Sequence, residues 1–133
     1  MSMKRIYYIL SALLISSYAF SGNYKSFKVS VYTRAYEVEK MKDLAWLDST
    51  WNILSQQVKV DKIYLETHRD LLIVPGETLE QAKKFFLDKG IEVGGGITYT
   101  INEANNFETF CYSDPEHRKM VQEIAEHTAR HFD

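Results

Sequence analysis

Three segments with the two-residue period of a β-strand alternate with three segments that have the period of an α-helix, and this order most constrains the fold. The run FKVSVYTRAY sets Phe27, Val29 and Val31 on one face and predicts a strand. Its other face is polar, with Lys28, Ser30, Tyr32 and Arg34. A helix is predicted over about residues 40–57, where apolar side chains recur every three or four positions: Leu44, Leu47, Trp51, Leu54 and Val58.

The next two pairs of predicted elements again consist of a strand followed by a helix. The run VDKIYLETHRD alternates again, with Tyr64, Glu66 and His68 on its polar face. TLEQ has the spacing of a capping box and predicts a helix from Thr78 to a left-handed cap at Gly90. The third strand is predicted in IEVGGGITYTI, residues 91–101, directly afterwards. SDPE then opens the last helix, with Ser113 as the predicted N-cap.

The order strand, helix, strand, helix, strand, helix is typical of βαβ units around a parallel sheet. An open sheet with helices on both sides needs strands that are apolar on both faces. The first two strands instead have one polar face, which suits the interior of a β/α barrel. A barrel needs eight such units, so we expect the first three βα units of a parallel β/α (TIM-type) barrel, incomplete. The alternative is a complete small α/β domain with three strands.

The N-terminal segment is predicted to be a signal peptide over residues 1–21. Lys4 and Arg5 precede an apolar run that ends at small residues, and cleavage fits best after Ser21. A membrane anchor is the alternative, but residues 6–20 are short of the roughly 20 needed to span a bilayer. The mature domain is then residues 22–133, secreted or periplasmic, with no stable membrane span. The net charge of -2 gives no reason to expect a nucleic-acid partner.

Four runs, FKVSVYTRAYEV, KIYLETHRD, GIEVGGGITYT and FCYSDPEHRKMVQEIAEHTARHFD, together resemble the N-terminal portion of secreted glycoside-hydrolase-like β/α-barrel proteins of polysaccharide-degrading bacteria. The similarity covers nearly all of residues 27–133. It implies a carbohydrate-active parent with an oligo- or polysaccharide as its partner. In glycoside hydrolases with this barrel the paired catalytic carboxylates commonly come from later strands, notably the fourth and seventh. This chain lacks those strands, so the resemblance implies a chain that is inactive by itself.

Candidate site residues lie on the polar faces of the strands and in the third loop, which is the loop after the third predicted strand. Glycosidases need two carboxyl groups beside the scissile bond, and Glu66 is the local candidate, although an ion pair with Arg34 is favoured. His68 could donate to a sugar hydroxyl, and aromatic rings can serve as platforms for sugar rings. We expect Tyr99 and Tyr112 to lie nearer to a ligand than Phe107 and Phe110. The predicted substrate-binding set is Tyr32, Arg34, Tyr64, Glu66, His68, Gly94, Gly96, Thr98, Tyr99 and Tyr112.

Three consecutive glycines interrupt the third strand, although glycine weakens a strand interior. By the period of two, Gly94 and Gly96 face the same side as Tyr64 and Glu66, so larger neighbours or a substrate could use the vacant space. GGGITYT lacks the Lys and the helix start that phosphate and dinucleotide loops need, so no cofactor is predicted. His127 and His131 lack the adjacent Glu of a zinc protease, and a solvated helix face is predicted instead of a metal site. The lone Cys111 is predicted to be buried.

The sequence therefore predicts part of a secreted glycoside hydrolase and leaves open whether this chain is itself an enzyme. The alternatives are a non-catalytic carbohydrate-binding or interaction protein on the same scaffold, or an inactive truncated remnant. An unpaired third edge of the sheet would favour self-association. The sugar, the linkage, the retaining or inverting outcome and the natural C-terminus are not determined by the sequence.

Overall fold

Residues 25–132 are described by a computed structural model of the chain, and the predicted signal peptide lies outside the described residues. The strands of the main sheet are β1 (Ser30–Thr33), β2 (Lys62–Glu66) and β5 (Glu92–Gly96). Two hairpins are formed by β3 (His68–Arg69) with β4 (Leu72–Ile73), and by β6 (Thr100–Asn102) with β7 (Glu108–Thr109). The helices are α1 (Ala35–Lys40), α2 (Leu44–Gln57), α3 (Gly76–Leu87) and α4 (Pro115–His131).

The main sheet is parallel, in the order β1-β2-β5, so that β2 lies in the centre. Tyr32 pairs with Tyr64, Tyr64 with Gly94, and Glu66 with Gly96. This register agrees with the predicted mixed α/β fold and with the predicted placement of Gly94 and Gly96 beside Tyr64 and Glu66. Over the described residues 25–132 the sheet is small and open, and it does not close into a barrel.

The hydrophobic core lies between one face of the sheet and the helices α2 and α3. Ile63 and Leu65 of β2 are buried there against Leu47, Leu79 and Phe86. Each fully buried side chain of this size contributes about 1.5–3 kcal/mol through removal of apolar surface from water. The alternation along β2 therefore holds the helices to one face and directs its polar side chains to the other.

The first strand is shorter than predicted, and a short helix lies between it and the first predicted helix. Strand β1 ends at Thr33, and helix α1 (Ala35–Lys40) begins within the run FKVSVYTRAY, which the alternating pattern assigned to strand. The Asp43 carboxylate accepts hydrogen bonds from the backbone N–H groups of Ala45 (2.9 Å) and Trp46 (3.1 Å). Such a cap fixes the start of a helix, so α2 begins at Leu44.

Both later strands are also shorter than their alternating patterns predict. Strand β2 ends at Glu66, and the chain then forms the β3–β4 hairpin through Asp70 and Leu71, whose φ angles are 50° and 63°. Strand β5 ends at Gly96, and residues 100–102 pair with β7 instead of extending the main sheet. The run HRDLLI has three polar residues followed by three apolar ones and contains neither glycine nor proline, so neither of the usual turn residues marked the end of the strand.

The helix caps differ from the sequence prediction at both capping boxes. Helix α3 begins at Gly76, so Thr78 is inside it, and the Gln81 amide donates to the Met41 carbonyl at 2.8 Å instead of capping. Helix α4 is capped by Asp114, which accepts from the Glu116 N–H at 2.8 Å, and not by the preceding serine. Gly90 has the predicted left-handed conformation, with a φ of 75°. Within residues 25–132, the helices are too short or too polar for any of them to cross a bilayer.

Candidate functional site

The carboxyl ends of β1, β2 and β5 lie along one edge of the sheet, which we call the carboxyl edge. Helix α1 follows β1 there, the β3–β4 hairpin follows β2, and residues 97–112 follow β5. Ligand sites of parallel α/β proteins are built from the segments that follow the carboxyl ends of their strands. The carboxyl edge is therefore the place to look for functional side chains.

Glu66 is fully buried at the end of β2 and accepts hydrogen bonds from four neighbouring residues. The donors are the Tyr32 hydroxyl (2.8 Å), the Ala35 N–H (2.7 Å), Arg69 Nε (2.8 Å) and Nη2 (2.9 Å), and the Thr98 hydroxyl. Burial opposes ionisation, but the bonds from Arg69 and Thr98 outweigh it and lower the pKa of Glu66. A carboxylate has about four lone-pair sites, so these five donors occupy all of them. Glu66 thus fastens three loops together.

Arg69 joins the two hairpins through two carboxylates. Its Nη1 lies 2.8 Å from Glu103 Oε2, while its Nε and Nη2 bind Glu66. The hydrogen bonds to Glu66 raise the pKa of Arg69, so the guanidinium stays charged. Sequence reasoning missed this residue because positions i and i+3 of a continuous strand point to opposite faces. The chain leaves the strand at Thr67, and this bend returns Arg69 to Glu66.

The predicted ion pair between Arg34 and Glu66 is wrong. Arg34 binds Glu37 instead, with Nε–Oε2 and Nη2–Oε1 distances of 3.1 and 3.0 Å. Arg34 lies beyond the end of β1, at the N-cap position of α1, and the residue three positions later in the helix is within reach. Its side chain is exposed, so Arg34 is separated from the buried carboxylate that the strand pattern assigned to it.

Asp70 connects α1 to both hairpins. Its Oδ2 accepts from the Tyr36 hydroxyl at 2.7 Å, and its Oδ1 accepts from the Glu103 N–H at 2.8 Å. The Asp70 N–H in turn donates to the Thr100 hydroxyl at 3.2 Å. Burial opposes ionisation of Asp70, but the hydrogen bonds from Thr100, Tyr36 and the Glu103 N–H outweigh it and lower the pKa. The loops at the carboxyl edge are therefore cross-linked by two carboxylates.

His68 is buried beneath the carboxyl edge. Its Nδ1 donates to the Thr98 carbonyl oxygen at 2.7 Å, and its ring packs 5.8 Å from the Phe110 ring. Burial lowers the pKa of His68, although the Thr98 carbonyl and the charge of Glu66 partly oppose this shift. The imidazole is thus neutral near pH 7. Its Nδ1 proton is committed to Thr98, so that nitrogen is not free for the predicted bond to a sugar hydroxyl.

The space above the strand glycines is filled by tyrosine rings. A Cβ atom on Gly94 would lie 3.0 Å from the Tyr64 ring, and one on Gly96 would lie 2.7 Å from the Tyr32 ring. The two rings stack with centroids 6.5 Å apart and planes 29° apart. Burial and the neighbouring Glu66 carboxylate raise the pKa of Tyr32 to about 12, although its bond with Thr98 opposes the shift. The sequence left two possible occupants of this space, larger neighbouring side chains or a substrate. In the structure the neighbouring tyrosine rings occupy it.

The aromatic residues of the third loop divide by exposure. Phe110 is buried against His68 and His117, with ring centroids 5.8 and 5.6 Å away. Phe107 and Tyr112 are largely exposed. Tyr99 is half-buried, and burial together with the nearby Tyr112 raises its pKa.

Two histidines of α4, His127 and His131, contact helix α3 and the segment before it. The solvated helix face predicted for them is therefore wrong. His131 Nδ1 lies 2.6 Å from Glu80 Oε1, and His127 Nε2 lies 2.9 Å from the Val74 carbonyl oxygen. In residues 25–132, no three His, Cys, Asp or Glu side chains are arranged to hold a metal ion. Cys111 is exposed, contrary to its predicted burial, because it lies in the loop before α4.

Comparison with known proteins identifies the family. A sequence model described as "Probable glycosyl hydrolase, catalytic domain" matches residues 16–133. An uncharacterized protein of Saccharolobus solfataricus is 29% identical over 82% of this chain, a match that covers 19% of that protein. The chain thus spans about a fifth of the length of this relative. No solved structure matches it significantly. The chain belongs to the family of probable glycosyl hydrolase catalytic domains.

Proposed function

We propose that this chain supplies the first three βα units of a β/α-barrel glycoside hydrolase that acts on an oligo- or polysaccharide outside the cytoplasm. The family match over residues 16–133 carries this proposal. It covers the parallel sheet, the helices and the carboxyl edge described above, so the hydrolase-like class extends to the whole folded part of the chain.

The two faces of the sheet support the barrel architecture. Helices α2 and α3 cover the face of Ile63 and Leu65, whereas Tyr32, on the opposite face, is 48% exposed. In a closed barrel the face opposite the helices points inward and is filled by side chains from other strands. Further strands would bury Tyr32 and Tyr64, and they would pair with the edges of β1 and β5 that are free of a partner strand within residues 25–132.

The catalytic acids are proposed to come from strands beyond these three. Glycoside hydrolysis needs two carboxyl groups, one of which must donate a proton and therefore have a raised pKa. Glu66 has a lowered pKa and five donors, and Glu103 shares its Arg69 partner. These contacts suit a scaffold that shapes the site. We assign sugar contact to Tyr64, Tyr99 and Tyr112 together with the exposed part of Tyr32.

The decisive experiment follows the natural gene product. We expect a secreted protein whose N-terminus is Gly22. N-terminal sequencing and intact-mass measurement of the protein purified from the culture medium would determine this. That product should release reducing ends from at least one polysaccharide in a panel of plant and microbial glycans. A cell-retained product with an intact residue 1–21 segment would contradict the secretion proposal. Failure to cleave any glycan would contradict the hydrolase proposal.

A non-catalytic carbohydrate-binding protein is the second candidate. The full occupation of Glu66 by donors favours it, because this acid cannot activate a nucleophile without first losing a partner. This candidate predicts saturable binding of an oligosaccharide with no release of reducing ends. Self-association through the free edges of β1 and β5 is a further proposal for the isolated chain. Sedimentation velocity would detect it as a mass that rises with concentration.

A further inference from the structure

Two hairpin tips at the carboxyl edge share an unusual backbone conformation. Asp70 and Leu71 have φ angles of 50° and 63°, and Asn106 and Phe107 have φ angles of 49° and 56°. Each tip thus places a short polar residue and then a large apolar residue in the left-handed region. Asn and Asp tolerate this region, whereas bulky side chains crowd the backbone there and glycine is the usual choice.

The two large side chains gain little burial for this strain. Leu71 is 50% exposed and Phe107 is 64% exposed. A glycine would satisfy either turn with less strain, and the side chains do not enter the core that surrounds Leu47 and Phe86. Strained residues that packing does not explain are found preferentially at ligand clamps and active sites.

The positions of the two tips are fixed relative to each other by hydrogen bonds. The carboxylate of Asp70, the neighbour of Leu71, accepts the Glu103 N–H at 2.8 Å. The Glu103 carbonyl oxygen accepts the Phe107 N–H at 3.2 Å. Arg69 adds an ion pair between the same two hairpins, at 2.8 Å from Glu103. The tips are therefore held in place before any ligand arrives, which lowers the entropy lost on binding.

We propose that Leu71 and Phe107 form a second sugar-contact surface, the rim surface, for a neutral polysaccharide chain that extends beyond the central cleft. This inference rests on the proposed function. A pyranose ring presents an apolar face of C–H groups, which packs on exposed apolar and aromatic side chains. Glu103, whose side chain is 31% exposed, lies between the tips and can accept hydrogen bonds from sugar hydroxyls.

The charge around the tips selects for a neutral glycan. Residues 66–73 and 100–109, which include both tips, have four acids and one base, a net charge of -3 with His68 neutral: Glu66, Asp70, Glu103 and Glu108 against Arg69. Uronate or sulfated chains would be repelled, as would an anionic lipid surface. The rim surface therefore fits a neutral polysaccharide better than an acidic ligand.

Glycine substitutions test this surface because they remove the side chain and relieve the backbone together. The full chain and its Leu71→Gly, Phe107→Gly and double variants would be titrated with the hexasaccharides of cellulose, mannan, xylan and amylose, and with hexagalacturonate. We expect each single variant to bind the best neutral hexasaccharide about 3- to 10-fold more weakly, as for the loss of one ring contact. The melting temperature should stay constant or rise by a few degrees as strain is lost.

The matched control is Ile53→Ala, which removes an exposed apolar side chain from α2. It should leave glycan affinity unchanged. Equal binding by the double variant and the wild type would overturn the rim surface and leave the proposed function standing, as expected if the tips bind a protein partner. Weaker binding that accompanies a fall in melting temperature, or a preference for hexagalacturonate, would also overturn it. If the wild-type chain bound no glycan, the rim surface would fall, whereas the proposed function is tested separately by the release of reducing ends by the natural gene product.

Discussion

Replacing Gly96 by alanine tests whether the strand glycines serve to seat tyrosine rings. The new Cβ atom would lie 2.7 Å from Cε2 and 2.8 Å from the hydroxyl oxygen of Tyr32. Ordinary contacts between such atoms need roughly 3.5 Å or more, so the ring must move by on the order of 1 Å. The Tyr32 hydroxyl donates to Glu66 at 2.8 Å, and this bond is lost or lengthened when the ring moves.

The expected cost follows from these contacts. Loss of a hydrogen bond to a charged group costs about 1.5–3 kcal/mol, and crowding of a packed site costs about 1–3 kcal/mol. The half-exposed ring can swing toward solvent, which places the crowding at the low end of that range. Alanine regains about 0.5–1 kcal/mol relative to glycine in a strand. We therefore expect Gly96→Ala to lower the free energy of unfolding by about 1.5–3.5 kcal/mol.

Urea unfolding of a double-mutant cycle measures this contact. In a Tyr32→Ala background the added methyl group meets no ring, so Gly96→Ala should be neutral or stabilising by about 0.5–1 kcal/mol. Gly94→Ala should cost less than Gly96→Ala, because its Cβ atom would lie 3.0 Å from the Tyr64 ring. If the Gly96 and Tyr32 effects added to within about 0.5 kcal/mol, the ring-seating explanation would be refuted.

Three further substitutions probe the carboxyl edge and the last helix. Glu66→Gln should lower the free energy of unfolding by about 2–4 kcal/mol in urea, because Arg69 then keeps only one of its two carboxylate partners in a largely buried position. His68 has a lowered pKa, so the unfolded chain binds more protons below about pH 6.5 and stability should fall between pH 7 and 5. His68→Asn should flatten that slope. Asp114→Ala should cost about 1 kcal/mol through loss of the α4 cap.

Each of these has a matched control. Glu37→Gln removes a partly exposed acid paired with the exposed Arg34 and should cost at most about 1 kcal/mol, so an equal cost at Glu66 would contradict the anchoring role. A pH slope that persists in His68→Asn would assign it to other groups. Ser113→Ala should be nearly neutral, and a larger effect there than at Asp114 would restore the cap predicted from the sequence.

Local periodicity predicted the parts of this protein that depend on side-chain alternation. Ile63 and Leu65 are buried while Tyr64 lies on the opposite face, as the period of two requires. The same period placed Gly94 and Gly96 beside Tyr64 and Glu66. The ends of the elements were predicted less accurately, since Asp70 and Leu71 turn the chain in a run, HRDLLI, that contains neither glycine nor proline.

The sequence by itself determined the order of the three main strands and the three longer helices, the parallel sheet and the face on which most of the candidate strand residues lie. Only the tertiary structure decided which groups meet. It paired Glu66 with Arg69 instead of Arg34, and it filled the space above the glycines with Tyr32 and Tyr64. Periodicity reports the direction of a side chain within its own element, whereas partners depend on where loops bend and how rings lean across neighbouring strands. Those positions are set by contacts between residues far apart in the chain.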